Sequence, residues 1–373
     1  MSTSLDREAG EVLCEVRNHT ASITLNRPAA LNALSMKMID ALQTTLARCA
    51  ADGQIRAVLL RGAGDKAFCA GGDIRALYQS YQHSGTLHHE FFIHEYRLDY
   101  LLHRFPKPCL ALLDGITMGG GMGLAQAAML RIVGERTRIA MPEVGIGLFP
   151  DVGASYFLSR LPGLIGPYLA LTGTQIRGID ALYCGLADAY LSLAGIESLE
   201  ADLATLAWSD NHGEDLRRLV TAHSANGLPA PPLSTRRSAI DRHFSRPDVT
   251  AIIESLEADR SAEHGEWAQQ TAKLMRGRSP TMLAVTLRQL ELGRSRSLAE
   301  CFRMELGMVE RCFEQGDFIE GIRALLIDKD NAPRWTPGDL QSVDPAAVEA
   351  FFRDPWHGAQ HPLADLAESH AHA

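Results

Sequence analysis

No CxxC pair occurs among the seven cysteines, at 14, 49, 69, 109, 184, 301 and 312, so the chain carries neither a disulfide framework nor a zinc-ribbon spacing. A reduced, cytoplasmic setting is expected. Basic excess is lacking too: 36 Lys and Arg stand against 45 Asp and Glu, a formal net charge of -9. Without a field to draw in a polyanionic backbone, no nucleic-acid partner is expected. No apolar run reaches the roughly 18 residues of a membrane span, so no membrane partner is expected either. The opening segment carries Asp6, Arg7 and Glu8 and no apolar core, unlike a secretory signal, and its acids disfavour an Arg-rich transit peptide.

Several catalytic signatures are missing as well. There is no GK[ST] after either glycine cluster, no GxGxxG with its late acid, no GxSxG elbow and no HExxH. His88, His89 and His94 lie near Glu90 and Glu95 without zincin spacing, so they read as solvated histidines and no metal is expected. What is present is ordinary for a packed chain: 373 residues, 46% hydrophobic and 22% charged, enough for two domains or one large domain with an appendage.

Val12–Arg17 and Ala21–Leu25 read as a hairpin around Asn18-His19. A helix follows Ser35, with Met38, Leu42, Leu46 and Cys49 on one face and Ser35 as its N-cap. Ala57–Gly62 and Pro108–Gly115 are short apolar runs ending at glycine, the pattern of strands buried on both faces, and Arg131–Val133 and Thr137–Met141 read as further strands. The first half is therefore α/β. Helical spacing takes over in Ala154–Leu161, Ile165–Leu171 and Gly178–Cys184, and again in Thr281–Leu292, Leu298–Gln315 and Phe318–Ile327. Between these two groups, Asn226–Leu233 is the strongest linker signal, with three prolines and a glycine.

Two glycine clusters follow soon after predicted core strands: Cys69-Ala70-Gly71-Gly72-Asp73 and Gly119-Gly120-Gly121-Met122-Gly123. Glycine lets a backbone approach a ligand closely, and the first N–H groups of a helix have no internal acceptor, so each cluster could aim a donor at developing negative charge. Tight turns between strand and helix are the plainer explanation of either cluster alone. Glu143 and Asp151 lie eight residues apart among small and apolar residues, where burial would raise a carboxyl pKa toward the working range. As a pair they suggest acid/base or nucleophilic work; singly, either could be a turn acid, and Asp151 could cap a helix beginning near Ala154.

Lys66–Arg75, Gly115–Gly123 and Met141–Gly153 together resemble the crotonase (enoyl-CoA hydratase/isomerase) superfamily, and within it the branch that hydrolyses 3-hydroxyisobutyryl-CoA. The likeness runs through Ala170–Gly173 and into Ser279–Thr281, Thr286–Leu290, Asp317–Ala324 and Leu326–Asp330, covering about 11–352. It implies an α/β fold, a spiral of ββα units over 11–200, with a helical C-terminal region over 201–354; the tail over 355–373, which shows no apolar face, is expected to be flexible. It also implies a thioester carbonyl held by the N–H groups of Gly72 and Gly120.

In the hydratases one catalytic glutamate would fall where this chain has Gly123; the other falls on Glu143. That departure favours hydrolysis, with Glu143 either attacking the carbonyl to form a mixed anhydride or activating water. Asp151 would bind the substrate 3-hydroxyl, and Glu95 aligns with a further acyl-site residue. The CoA moiety would lie along backbone near Asn32, Leu34 and Ala70, with Arg27, Lys66 and Arg75 as candidate phosphate contacts. The resemblance thus implies an acyl-CoA substrate turned over in valine breakdown, no cofactor beyond the CoA that is part of substrate and product, and association as trimers or dimers of trimers. A hydratase or isomerase using one glutamate, and a broader short-chain 3-hydroxyacyl-CoA hydrolase, are the alternatives.

Overall fold

The computed structural model describes residues 3–4, 10–356 and 359–367. Among the described residues, eleven strands alternate with helices through the first half: β1 (Thr3–Ser4), β2 (Val12–Arg17), β3 (Thr20–Leu25), β4 (Ala57–Gly62), β5 (Ala67–Cys69), β6 (Cys109–Leu112), β7 (Ile116–Met118), β8 (Leu130–Val133), β9 (Arg138–Ala140), β10 (Ile176–Arg177) and β11 (Ala189–Tyr190). They form a seven-stranded sheet in the order β1-β2-β3-β4-β6-β8-β11 and a four-stranded sheet in the order β10-β9-β7-β5. The pairs β4–β5, β6–β7 and β8–β9 each put their first strand in the large sheet and their second in the small one. That is the expected spiral of ββα units.

The local reasons are legible. Asn18 and His19 both take positive φ (45° and 65°), the two-residue turn that matches the twist of the β2–β3 hairpin. Ser35 caps the helix Met36–Ala51, its Oγ accepting the Met38 N–H at 3.1 Å, a contact worth about 1 kcal/mol. The runs that become β4 and β6 pair in parallel and are buried on both sides, as a near-continuous apolar strand must be.

The chain divides into two compact units that interleave along the sequence. One comprises Met1–Gly72, Arg97–Ile139 and Ile176–Ser234; the other comprises Asp73–Tyr96, Ala140–Gln175 and Thr235–Ala373. This differs from a linear partition at residue 200. Helices Leu193–Leu203 and His212–His223 belong to the first unit because Leu199, Leu203, Leu216 and Val220 close one face of the large sheet against Leu59, Leu110 and Ile132. The linker signal Asn226–Leu233 lies just before the Ser234 boundary.

The second unit is almost wholly helical. Helix Ile165–Thr172 is buried along its entire length, and Pro280–Gly293 and Leu298–Gln315 supply long apolar faces. A capping box between Ser297 and Glu300 starts the last of these, and Gly316 ends it. The charged start, 5–9, and parts of the tail expected to be flexible, 357–358 and 368–373, lie outside the described residues. Within the rest of that tail Leu363 and Leu366 are buried, and a His361 ring nitrogen lies 3.1 Å from the Arg303 carbonyl. No helix among the described residues is long and apolar enough to cross a membrane.

Candidate active site

In the first unit, parallel pairing of β5 with β7 sets the two glycine clusters side by side, since each follows one of these strands. Gly120 opens the helix Gly120–Ala127, so its N–H lies among the donors that have no intrahelical acceptor. A Cβ on the next residue, Gly121, would stand 2.2 Å from the Cys69 carbonyl oxygen, so only glycine allows the helix to start this close to β5. The loop before the first helix is tied to the same strand end. Leu34 N–H donates to the Gly71 carbonyl at 2.8 Å, Ala70 N–H donates to the Leu31 carbonyl at 3.1 Å, and Leu34 and Gly72 form a parallel bridge.

Asn32 is buried and fully engaged: its Oδ1 accepts the Arg27 N–H, and its Nδ2 donates to the Ala63 and Ala67 carbonyls at 3.0 and 2.8 Å. Its side chain therefore builds the loop, leaving backbone as what this segment could offer a ligand. Asn32, Leu34, Ala70, Gly72 and Gly120 are thus gathered in one place. Arg27 is committed to the Ala33 carbonyl and to Glu11, whereas Lys66 is exposed. Arg75, in the second unit, is exposed with its guanidinium on the Leu326 carbonyl.

The second unit gathers the acids. Glu143 opens a 3-10 turn, Glu143–Ile146, closed by Gly147 in the left-handed region (φ 72°). A side chain at Gly147 would stand 2.2 Å from the Asp317 carbonyl oxygen, so this turn docks on the helix Asp317–Ile322 through bare backbone. Glu143 is only 6% exposed, and its Oε2 is buried with no hydrogen-bond partner among the described residues. Burial, and then the nearby Asp151 charge, hold its pKa well above the ordinary carboxyl value.

Asp151 is buried too, and its Oδ2 accepts the Tyr96 hydroxyl at 2.7 Å. Burial pushes it up to about 6, against the pull of the Tyr96 hydrogen bond and of its own backbone. Asp151 caps no helix: Gly153 is the N-cap residue of Ala154–Phe157, and Asp151 contributes only its carbonyl, to the Ala154 N–H. Glu95 is buried beside Tyr96 on the helix Leu87–His103. The chemistry on offer is a carboxylate whose raised pKa makes it a strong base or nucleophile once ionised, near a second buried acid whose pKa is raised as well.

Solvation of the three histidines does not hold for His88. Only 5% exposed, it packs 4.8 Å from the Phe313 ring centroid and within 3.2 Å of the Ser80 hydroxyl, and burial lowers its pKa. His89 pairs with Glu310 at 2.7 Å.

Two residues of this cluster, Tyr96 and Glu305, are not among the candidates named from the sequence. Tyr96 gave no signal, because nothing in the sequence marks which tyrosine hydroxyl will be buried and need a partner. Glu305 did: it stands at helical spacing from Cys301 and Val309 on an apolar face. Its carboxylate accepts the Gly153 and Ser155 N–H groups at 2.7 and 2.8 Å, and burial pushes its pKa up to about 8. Tyr96→Phe is expected to raise the Asp151 pKa further, since it removes the side-chain donor that favours the ionised form. Carbon-13 NMR titration of Asp151 reads this, and an unchanged titration contradicts it.

The enoyl-CoA hydratase/isomerase family matches residues 20–352. Curated relatives include the mitochondrial 3-hydroxyisobutyryl-CoA hydrolase of Danio rerio, 42% identical over 93% of this chain and 90% of that one. The Homo sapiens protein of the same name is 39% identical over 92% and 89%. Among solved structures, a carnitinyl-CoA dehydratase from Mycobacterium thermoresistibile superposes with a TM-score of 0.85 at 38% identity, covering 92% of this chain and 97% of that one. An enoyl-CoA hydratase from Rhodobacter sphaeroides 2.4.1 gives 0.82 at 37%, with the same coverage. The fold is shared with solved members of a wider family and the sequence likeness extends over both units, and on these grounds the chain belongs to the enoyl-CoA hydratase/isomerase (crotonase) family.

Proposed function

We propose that the protein hydrolyses the thioester of 3-hydroxyisobutyryl-CoA to 3-hydroxyisobutyrate and CoA, a step of valine breakdown. Among the site's features, the buried Glu143 carboxyl with its unpartnered Oε2 carries this reading. The ~40% identity to hydrolases of that name over more than nine-tenths of the chain supports the substrate.

In this proposal ionised Glu143 either attacks the carbonyl carbon or takes a proton from the attacking water. Along the first route the C–S bond breaks, CoA leaves as thiolate and is protonated, and water cleaves the resulting anhydride to regenerate the carboxylate. Along the second, water adds directly and the same C–S bond breaks. The Gly72 and Gly120 N–H groups are assigned to the oxyanion, each worth about 3 kcal/mol by analogy with other such donors. Asp151 and Glu95 are assigned to the acyl group, with Asp151 on the 3-hydroxyl. No metal or redox group enters either route. The seven free thiols support a cytoplasmic setting, and the family resemblance supports homo-oligomeric assembly.

Hydration of an enoyl-CoA is the second reading, favoured by the names of the solved structures. Gly123, standing where the hydratase glutamate would fall, weighs against it. Thiol release from 3-hydroxyisobutyryl-CoA and from isobutyryl-CoA tests the proposed preference: the hydroxylated thioester is expected to be turned over the faster, and equal rates would remove the role given to Asp151.

Asp151→Asn should move the pH profile in a defined direction. The Asp151 charge helps hold the Glu143 pKa up; turnover needs Glu143 ionised, so removing that charge lowers the Glu143 pKa. The acid limb of kcat then shifts to lower pH, even as hydroxyl selectivity falls. A limb that stays in place, or moves to higher pH, would separate the two acids.

A further inference from the structure

The turn that carries Asp151 is gripped by two side chains that the proposed reaction does not use. Glu305, on the helix Leu298–Gln315, is fully buried (0% exposed) and accepts the Gly153 N–H on Oε2 and the Ser155 N–H on Oε1. From the helix Pro280–Gly293, Gln289 is equally buried and donates its Nε2 to the Pro150 carbonyl at 2.6 Å and to the Ser155 hydroxyl at 2.8 Å. Four hydrogen bonds therefore fall on residues 150, 153 and 155, on both sides of Asp151. Phe302, one turn before Glu305, lies against Gly153, where a Cβ would be 3.2 Å from the ring, and its centroid is 5.5 Å from that of Tyr96, the donor to Asp151.

The polarity of this grip is specific. Two N–H groups converging on one side chain require two acceptor atoms and no donor, which only an ionised carboxylate supplies. An amide of the same size would turn its NH2 toward one of the N–H groups, and an apolar residue would leave both buried donors unpaired. A carboxylate inside an apolar helix face is costly to bury, so packing alone does not account for it. The titratable groups whose charges bear on it are Asp151 on the turn, Tyr96 on the helix Leu87–His103 and Cys301 on its own helix.

We propose that Glu305 and Gln289 are positioning residues that fix the direction of the Asp151 carboxylate and, through it, the preference for an acyl group bearing a 3-hydroxyl. This rests on the reading of Asp151 as the hydroxyl-binding acid. Neither residue touches substrate; each acts by holding the backbone on one side of Asp151.

The test compares kcat and KM for 3-hydroxyisobutyryl-CoA and isobutyryl-CoA in the full-length wild type and in Glu305→Gln, Gln289→Leu and Asp151→Asn. Assay at pH 9, above the value of about 8 at which Glu305 titrates, keeps the wild-type side chain ionised. Glu305→Gln and Gln289→Leu are each expected to cut kcat/KM for the hydroxylated thioester by about 10-fold or more, chiefly through KM, with the plain thioester changed by no more than about 3-fold. Equal losses on both substrates would make the grip merely structural and overturn the proposal, as would no loss on either. If Asp151→Asn abolishes the preference while both other variants keep it, the positioning role alone fails. If Asp151→Asn leaves the preference intact, the reading of Asp151 fails and takes this inference with it. Should Glu305→Gln not fold, Gln289→Leu decides by the same ratio.

Discussion

Glu143→Gln is expected to lower kcat by at least about 10³-fold while leaving KM within a few-fold of wild type, because an amide of the same shape can neither attack a carbonyl nor take a proton from water. The size of the loss follows from the site. Glu143 has a buried oxygen with no hydrogen-bond partner among the described residues, and burial and then Asp151 raise its pKa, so its ionised form is a strong base. The same residue should weaken the fold. A carboxyl whose folded pKa lies above its unfolded value binds its proton more tightly in the native state, so stability falls as pH rises from the ordinary carboxyl range toward the folded pKa. The Gln variant lacks this loss. Its melting temperature relative to wild type should therefore climb with pH across that window, and a variant less stable than wild type throughout would place Glu143 in a stabilising hydrogen-bond network instead.

Gly121→Ala is expected to reduce kcat/KM by about 10²-fold or more, the scale of losing one well-aimed oxyanion donor. The new methyl would lie 2.2 Å from the Cys69 carbonyl oxygen and 2.8 Å from its Cβ, contacts that no rotamer relieves. Either β5, which leads into Gly72, or the start of the helix Gly120–Ala127 must move, and Gly72 and Gly120 are the residues assigned to the thioester oxygen. Overpacking of this kind costs about 1–3 kcal/mol, so calorimetry should show a lower melting temperature with the fold retained. Activity within about 2-fold of wild type would mean that the two glycine clusters need not lie this close.

Much of this was legible in the sequence, and the exceptions have physical causes. β4 and β6 announced themselves as apolar runs ending at glycine. The three-residue strands β5 and β7 did not, being too short to show a period, although they set the glycine clusters beside one another. The helix His212–His223 buries only Asp215, Leu216 and Val220, too thin an apolar stripe to stand out from a polar segment. Among site residues, Glu143 and Asp151 could be singled out because acids among glycines and prolines are conspicuous. Tyr96 could not, since its role depends on a contact 55 positions away. Glu305 was conspicuous in a different way, as an acid on an apolar helix face, but its partners are backbone N–H groups 150 and 152 residues distant, and such groups leave no trace in residue identity.

Hydrolysis and hydration part company on a single assay of the wild-type protein. Incubated with 3-hydroxyisobutyryl-CoA and a thiol reagent, it should release stoichiometric CoA, and with crotonyl-CoA it should leave the enoyl absorbance unchanged. Loss of the enoyl absorbance without CoA release from the hydroxylated thioester would contradict the account and make the chain a hydratase.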